Sequence, residues 1–196
     1  MTKKPAPEKH LLRQLSRADY VTALAIACAV NAFALLWNGR TELAISLAFV
    51  SMFLDYVDGM VARKYGGSPY GAVLDSLYDV MGWVLFPALV INIQTGWAWW
   101  SMVVTTVYCV FGLLRLSRFT VAGYVETDGR YYRGMPVLFS KYALLVALLL
   151  GAKLSVIWLI IMIPLMVSSR LVRKPHPFLA QLELAYAAVF LWLAIR

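Results

Sequence analysis

The stretch DYVDGMVARKYGGSPYGAVLDSLYD, residues 55–79, puts Asp55, Asp58, Asp75 and Asp79, together with Arg63, close to or inside segments that otherwise read as membrane-spanning. A carboxylate in hydrocarbon costs at least a few kcal/mol. Four of them within 25 residues require a metal, cationic partners or a water-filled cavity. Whatever fold this chain adopts must be a scaffold that supplies that compensation.

The membrane reading comes from composition. The chain is 62% hydrophobic and 14% charged, whereas soluble domains run near 45–50% apolar and about 25% charged. The expected fold is therefore an all-α integral membrane protein. A charged stretch precedes the first apolar segment and no A-x-A-like site follows it, so no removable signal peptide is expected. The net charge of +8 is read as cytoplasmic loops and contacts to anionic lipid, not as a nucleic-acid surface. Cys28 and Cys109 sit within apolar segments without metal-ligand spacing and read as small hydrophobes, not as a disulfide.

Taken in order, residues 1–19 form a cytoplasmic tail. Residues 8–17 form either a short amphipathic juxtamembrane helix, with Leu11, Leu12 and Leu15 on one side, or a solvated tail. Spans are predicted at residues 20–37, 42–63, 70–93, 97–120, 136–152 and 154–168, within a membrane domain covering 20–170. A polar loop at 121–135 interrupts them. Residues 171–196 hold a basic linker and a last apolar segment at 178–195, which is either a seventh crossing or a peripheral helix interrupted by Glu183. The expectation is thus a bundle of six to seven transmembrane helices. With the N-terminus in the cytoplasm and seven spans, fifteen Lys and Arg fall on the cytoplasmic side, Lys141 and Arg115 among them, against three on the far side. That places the acids at the cytoplasmic ends of spans two and three.

Asp55 and Asp58 share a helix face, as do Asp75 and Asp79. A short Gly-rich turn between the helices makes the two pairs face each other across an antiparallel hairpin. Hard oxygen ligands suit Mg²⁺, Mn²⁺ or Ca²⁺, and four carboxylates could serve two ions, an arrangement that clamps phosphate oxygens during displacement at phosphorus. Gly59, Ala62 and Gly71 leave the backbone open to a ligand, though small residues at such spacing also serve helix packing. Arg63 can neutralise a phosphate or lock a carboxylate. One arginine and Lys64 are too few to pair four acids, so packing and pairing alone do not explain the stretch.

The pattern Asp55-x-x-Asp58-Gly59-x-x-Ala62-Arg63, followed by Gly71-x-x-x-Asp75-x-x-x-Asp79, resembles the signature of the CDP-alcohol phosphotransferases. These are membrane enzymes that move a phosphatidyl or similar group from a CDP-linked donor to an alcohol and release CMP. Seven residues separate Arg63 from Gly71, where that family usually has eight. The resemblance implies that Asp55, Asp58, Asp75 and Asp79 hold two divalent ions, Mg²⁺ or Mn²⁺. It also implies that Asp79 is the general base on the acceptor hydroxyl, and that Gly59, Ala62, Arg63 and Gly71 line the CDP pocket. Asp19 and Thr22, entering the first span, resemble a polar pair that the family places near the nucleotide; Asp19 could equally cap the helix. A homodimer in the cytoplasmic membrane, with its active site facing the cytoplasm, belongs to the same expectation.

Further strings (DSLYDV, RLSRFT, YYRGMP and LMVSS) resemble the phosphatidylserine synthase branch, which points to L-serine as acceptor. Other acceptors in the family are glycerol 3-phosphate, inositol phosphate and choline. Arg115, Arg118 and Arg133 are candidates for the donor phosphate or for an acceptor carboxylate; the first two could also be ordinary positive-inside anchors. Tyr78 stands where the branch has a small residue, and Met81-Gly82-Trp83 stands where it has Ser-Phe-Gly. A transporter would also bury acids, but no inverted repeat is apparent and the Gly-Ala-Arg spacing would go unexplained.

Overall fold

The computed structural model describes residues 10–123, 131–173 and 178–195. Its helices are α1 (Arg17–Trp37), α2 (Thr41–Tyr65), α3 (Gly71–Asp79), α4 (Phe86–Gln94), α5 (Trp99–Ala122), α6 (Lys141–Leu149), α7 (Ala152–Val167) and α8 (Phe178–Ile195). A π-helical turn, Val80–Leu85, joins α3 and α4 into one rod. That rod, α1, α2 and α5 are each long and apolar enough to cross a membrane, and shorter apolar helices complete the bundle. The expected helical membrane bundle is what the chain forms.

α1 shows how the sequence packs. Its buried residues, Ala18 and Asp19 and then Thr22, Ala25, Ala29, Ala32 and Leu36 at intervals of three or four, form one stripe. Alanines let the α1 backbone approach α2, where Ala44 and Ala48 answer them. Leu24 and Val30 lie on the outward side and are exposed. Asp19 and Thr22 belong to the buried stripe, so the same periodicity carries them inward toward α2.

The amphipathic helix expected over residues 8–17 does not form within the described residues; residues 1–9 lie outside them. A single 3-10 turn, Leu11–Arg13, precedes α1. Helix formation restarts at Ser16, whose Oγ accepts the Asp19 N–H while the Asp19 carboxylate accepts the Ser16 N–H at 2.5 Å. This reciprocal cap gives the orphan N–H groups partners and fixes a helix start there.

The rod's π turn follows from Pro87. Proline has no N–H to give the carbonyl four residues back, and its ring crowds that carbonyl. The carbonyl concerned belongs to Trp83. It accepts instead the Tyr108 hydroxyl from α5 at 2.7 Å and the Ser140 hydroxyl at 2.6 Å.

The polar loop and the basic linker meet in a ribbon that the all-helical reading did not include. β1 (Tyr131–Arg133) pairs antiparallel with β2 (Leu171–Arg173), Tyr132 opposite Val172; residues 124–130 and 174–177 of those segments lie outside the described ones. Three of the branch-like strings come together beside it. Arg118 donates to the carbonyls of Arg133, Met166, Val167 and Ser168. Gly134, at φ +73°, passes so close that a Cβ there would lie 2.3 Å from the Met166 carbonyl oxygen and 2.6 Å from Arg118 Nη2.

α8 lies along α2. Ser46 donates to the Ala187 carbonyl at 2.7 Å, and Phe49 stacks on Phe190 with ring centroids 5.6 Å apart. Lys141 reaches α8 from α6 and bonds Glu183 at 2.7 Å. Lys141 and Arg115, both counted on the cytoplasmic side, are buried, 2% and 5% exposed. Removing both from the fifteen leaves thirteen against three, and the bias keeps its direction.

Candidate active site

α2 ends at Gly66, whose N–H bonds the Ala62 carbonyl and whose φ of +85° turns the chain out of the helix. The Ser68 hydroxyl then accepts the N–H groups of Tyr70 and Gly71 at 3.0 and 3.1 Å and starts α3. This connection sets the C-terminal part of α2 beside α3. Oxygens of Asp55, Asp58 and Asp75 come within 4.8 Å of one another. Asp58 is 4% exposed, while Asp55, Asp75 and Asp79 are partly exposed. Asp79 is not part of the close triad, but its charge acts on Asp55, and the charges of Asp75, Arg115 and Asp58 act on it.

The triad suits a hard divalent cation by an internal test. Asp55 Oδ1 is buried and accepts no hydrogen bond. Three converging carboxylates, one with a buried oxygen that has no donor, offer the ligand set that Mg²⁺ or Mn²⁺ prefers.

Asp19 and Thr22 frame Asp58. Thr22 Oγ1 donates to Asp58 Oδ2 at 2.5 Å. Asp19 does cap α1, as one of the two sequence readings allowed, but only through Oδ2; its Oδ1 is buried without a partner. That oxygen would lie 2.9 Å from a Cβ on Gly71. The small residue at 71 therefore lets α3 start close against α1. At Gly59 the neighbour is Arg63, whose Nη1 would be 3.3 Å from a Cβ. Arg63 is exposed and folds back one turn across Gly59, with Ala62 partly buried beside it.

The three arginine candidates separate. Arg115 is buried, with its guanidinium 5.3 Å from the Phe119 ring and 5.5 Å from that of Tyr132, and its charge acts on Asp79. Arg118 directs its donors at the carbonyls of Arg133, Met166, Val167 and Ser168, a clasp that joins β1 to the end of α7. Arg133 points outward, since the strand alternates and Tyr132 takes the buried side.

A sequence profile of the CDP-alcohol phosphatidyltransferases matches residues 15–195. The chain belongs to this family. As a family member it is 35% identical over 123 residues to the CDP-diacylglycerol–serine O-phosphatidyltransferase of Methanocaldococcus jannaschii, covering 61% of this chain and 54% of that one. It is 27% identical over 134 residues to the archaetidylserine synthase of Methanothermobacter thermautotrophicus, covering 66% and 56%. With the CDP-diacylglycerol–serine O-phosphatidyltransferase of Bacillus subtilis it shares 29% over 106 residues, covering 53% and 58%. The chain spans about half the length of the curated relatives it matches.

Within this family member, two residues that the sequence marks as departures from the branch pattern, Trp83 and Tyr78, take definite places. Trp83 is 4% exposed, and its carbonyl accepts the Tyr108 and Ser140 hydroxyls. The signal for its placement was Pro87, one turn on. Tyr78 is fully buried and bonds Ser51 at 3.1 Å, and Ser51 in turn donates to the Ala25 carbonyl at 2.7 Å. Its side chain thus tethers α3 to α2 and α1. The departure at 78 bears on packing behind the acids.

Proposed function

We propose that this chain transfers a phosphatidyl group, or its archaeal equivalent, from a CDP-linked lipid to L-serine and releases CMP. The convergence of Asp55, Asp58 and Asp75, with Asp79 within reach of their charge and of that of the buried Arg115, carries this reading. Serine synthases among the similar proteins support the choice of acceptor.

Asp55, Asp58 and Asp75 would hold one divalent ion, and Asp79 completes the set for a second. Such ions, Mg²⁺ or Mn²⁺, would when bound draw charge from the phosphoryl group and from the CMP leaving group. Asp79 accepts the proton of the serine hydroxyl as that oxygen forms its bond to the β-phosphorus. The bond from phosphorus to the CMP oxygen breaks, and CMP leaves with the electron pair. Arg115, beside Asp79, holds the serine carboxylate and so brings the hydroxyl to the base. Gly59, Ala62 and Gly71 admit the donor's CDP group, Arg63 neutralises its diphosphate, and Asp19 and Thr22 bound its nucleotide side. Arg118 and Arg133 have the weaker claim on substrate, one committed to carbonyls and the other facing outward.

The same reading makes the protein a homodimer of the cytoplasmic membrane, with the acids at the cytoplasmic surface and no nucleic-acid partner. The excess of Lys and Arg on that side supports the orientation.

The test is an acceptor panel. Purified protein receives radiolabelled CDP-lipid and Mn²⁺ with serine, glycerol 3-phosphate, inositol phosphate or choline. Labelled phosphatidylserine and CMP are expected with serine, and neither with Asp79→Asn. CMP release with a different acceptor would replace serine. No release with any acceptor, or an Asp79→Asn variant equal to the parent, would overturn the reaction.

A further inference from the structure

Arg115 belongs to a regular stripe on α5. Ser101, Thr105, Tyr108, Gly112 and Arg115 are all buried and stand alternately four and three residues apart, so they line one face of the helix. The members before Arg115 all meet the rod of α3 and α4. Ser101 and Thr105 bond the Asn92 side chain at 3.0 and 2.9 Å. The Tyr108 hydroxyl bonds the Trp83 carbonyl at 2.7 Å, and a Cβ on Gly112 would lie 3.1 Å from Val84 Cγ2. Each step forward along α5 is thus a step back along the rod, from Asn92 to Val84. Arg115, three residues beyond Gly112, continues that run toward Asp79, five residues before Val84. The stripe carries this cation to the acidic end of the rod.

A guanidinium grips a carboxylate through a planar fork, so its setting matters as well as its place. Two rings hold it. Arg115 Cζ lies 5.3 Å from the Phe119 centroid and 5.5 Å from that of Tyr132, and the rings lie 5.8 Å from each other. The three distances are nearly equal, so cation and rings form one compact triangle. A ring attracts a cation through its quadrupole, more strongly away from water, and uses none of its N–H donors. Phe119 belongs to α5 itself, one turn on. Tyr132 comes from β1, is 8% exposed, and pairs with Val172 of β2. The chain just beyond it is fastened to the end of α7 and to the segment that follows. Arg118 donates to the Arg133 carbonyl, the Gly134 N–H bonds the Arg170 carbonyl at 2.8 Å, and the Met135 N–H bonds that of Leu165 at 2.9 Å. The ribbon therefore delivers a fixed, buried ring to a buried cation.

We propose that Tyr132 is a positioning residue for the acceptor: with Phe119 it fixes the Arg115 guanidinium in the setting that receives the serine carboxylate. The inference rests on the serine reading given above. Tyr132 touches no substrate and acts through Arg115. The two-stranded ribbon, far from the acids in sequence, thereby takes part in selecting the acceptor.

The test compares the parent with Tyr132→Leu, Tyr132→Phe, Arg115→Ala and the double variant Arg115→Ala/Tyr132→Leu, all purified in detergent. Thermal unfolding is measured, and CMP release gives KM for serine and for the CDP-lipid. Tyr132→Leu is expected to raise the serine KM about tenfold with little change in the CDP-lipid KM. Tyr132→Phe, which keeps the ring, rescues it. The double variant should be no worse toward serine than Arg115→Ala, because two residues that act as one unit are not additive. A parent-like serine KM in Tyr132→Leu, equal rises for both substrates, a Tyr132→Phe as poor as Tyr132→Leu, or additive losses in the double variant would each overturn the proposal. If Tyr132→Leu does not fold, Phe119→Leu decides on the same readouts. Should Arg115→Ala raise the serine KM while Tyr132→Leu does not, the proposal falls and the serine reading stands. A parent that releases CMP only with acceptors lacking a carboxylate removes the serine reading, and the proposal with it.

Discussion

The phenol of Tyr78 occupies the room that a side chain at Gly82 would need. A Cβ on Gly82 would lie 2.9 Å from both Cζ and Oη of Tyr78. The phosphatidylserine synthase branch, as read from its strings, has a small residue at the first position and phenylalanine at the second. This chain therefore exchanges bulk between two positions one turn apart. The hydroxyl gained in the exchange finds Ser51. Gly82→Phe alone should be overpacked and lose about 1–3 kcal/mol, and Tyr78→Ala alone should lose roughly 3 kcal/mol or more through the cavity it leaves. The combined variant should recover much of both losses in a thermal melt. Additive losses would show that the two positions do not share one volume.

Gly134 gives a second prediction, for the clasp and not for the acids. At φ +73°, with the Met166 carbonyl and the Arg118 guanidinium against it, it has no room for a methyl group. Gly134→Ala should cost on the order of 1–3 kcal/mol through strain and displacement. Arg118→Lys should also destabilise, because one ammonium cannot replace a planar fork directed at four carbonyls. Melting temperatures check both; parent-like values would mean that the ribbon tolerates rearrangement.

Thr22 tests the support of Asp58. Thr22→Val keeps the shape and removes the donor held 2.5 Å from Asp58 Oδ2. Mn²⁺ affinity should fall about tenfold, while Thr22→Ser retains it. Equal affinity in Thr22→Val and the parent would assign Thr22 to packing within the α1 stripe.

Metal removal tests the triad as a whole. Excess EDTA should abolish CMP release, and added Mg²⁺ or Mn²⁺ should restore it. Full activity under chelation would leave the convergence of Asp55, Asp58 and Asp75 without a chemical purpose.

Arg115→Ala should raise the KM for serine well above any change in the KM for the CDP-lipid. A neutral acceptor lacking a carboxylate, offered to both proteins, should show no such difference. Equal rises for both substrates would return Arg115 to a packing role, stacked between Phe119 and Tyr132.

The acids were legible in sequence because their cost in hydrocarbon is large and their spacing matches a helix turn. Two carboxylate pairs on a Gly-linked hairpin leave few arrangements, and three of the four do converge. Asp79 stands slightly apart, which spacing could not reveal, because a shared helix face does not determine distance across an interface. The positive-inside argument counts Lys141 without seeing what faces it; its partner lies 42 residues on, at Glu183. The tail misled for a local reason. Its leucines suit an amphipathic helix, but Ser16 and Asp19 begin a separate helix at that point. The clasp of Arg118, Gly134 and Met166 unites strings that sequence could only treat as separate family marks.

Consider finally the turn that Pro87 imposes on the rod. Each residue advances an α-helix by about 100°, and a π turn holds one residue more than an α turn. Everything beyond Leu85 is therefore rotated by about that angle relative to an uninterrupted helix. One azimuth serves Gly71–Asp79, which must show its carboxylates to α2. Another serves Phe86–Gln94, where Phe86, Ala88, Val90 and Ile91 are buried in the core. A single membrane-crossing rod thus has two independent orientations, and the half that carries the chemistry need not share the rotational setting of the half that anchors it.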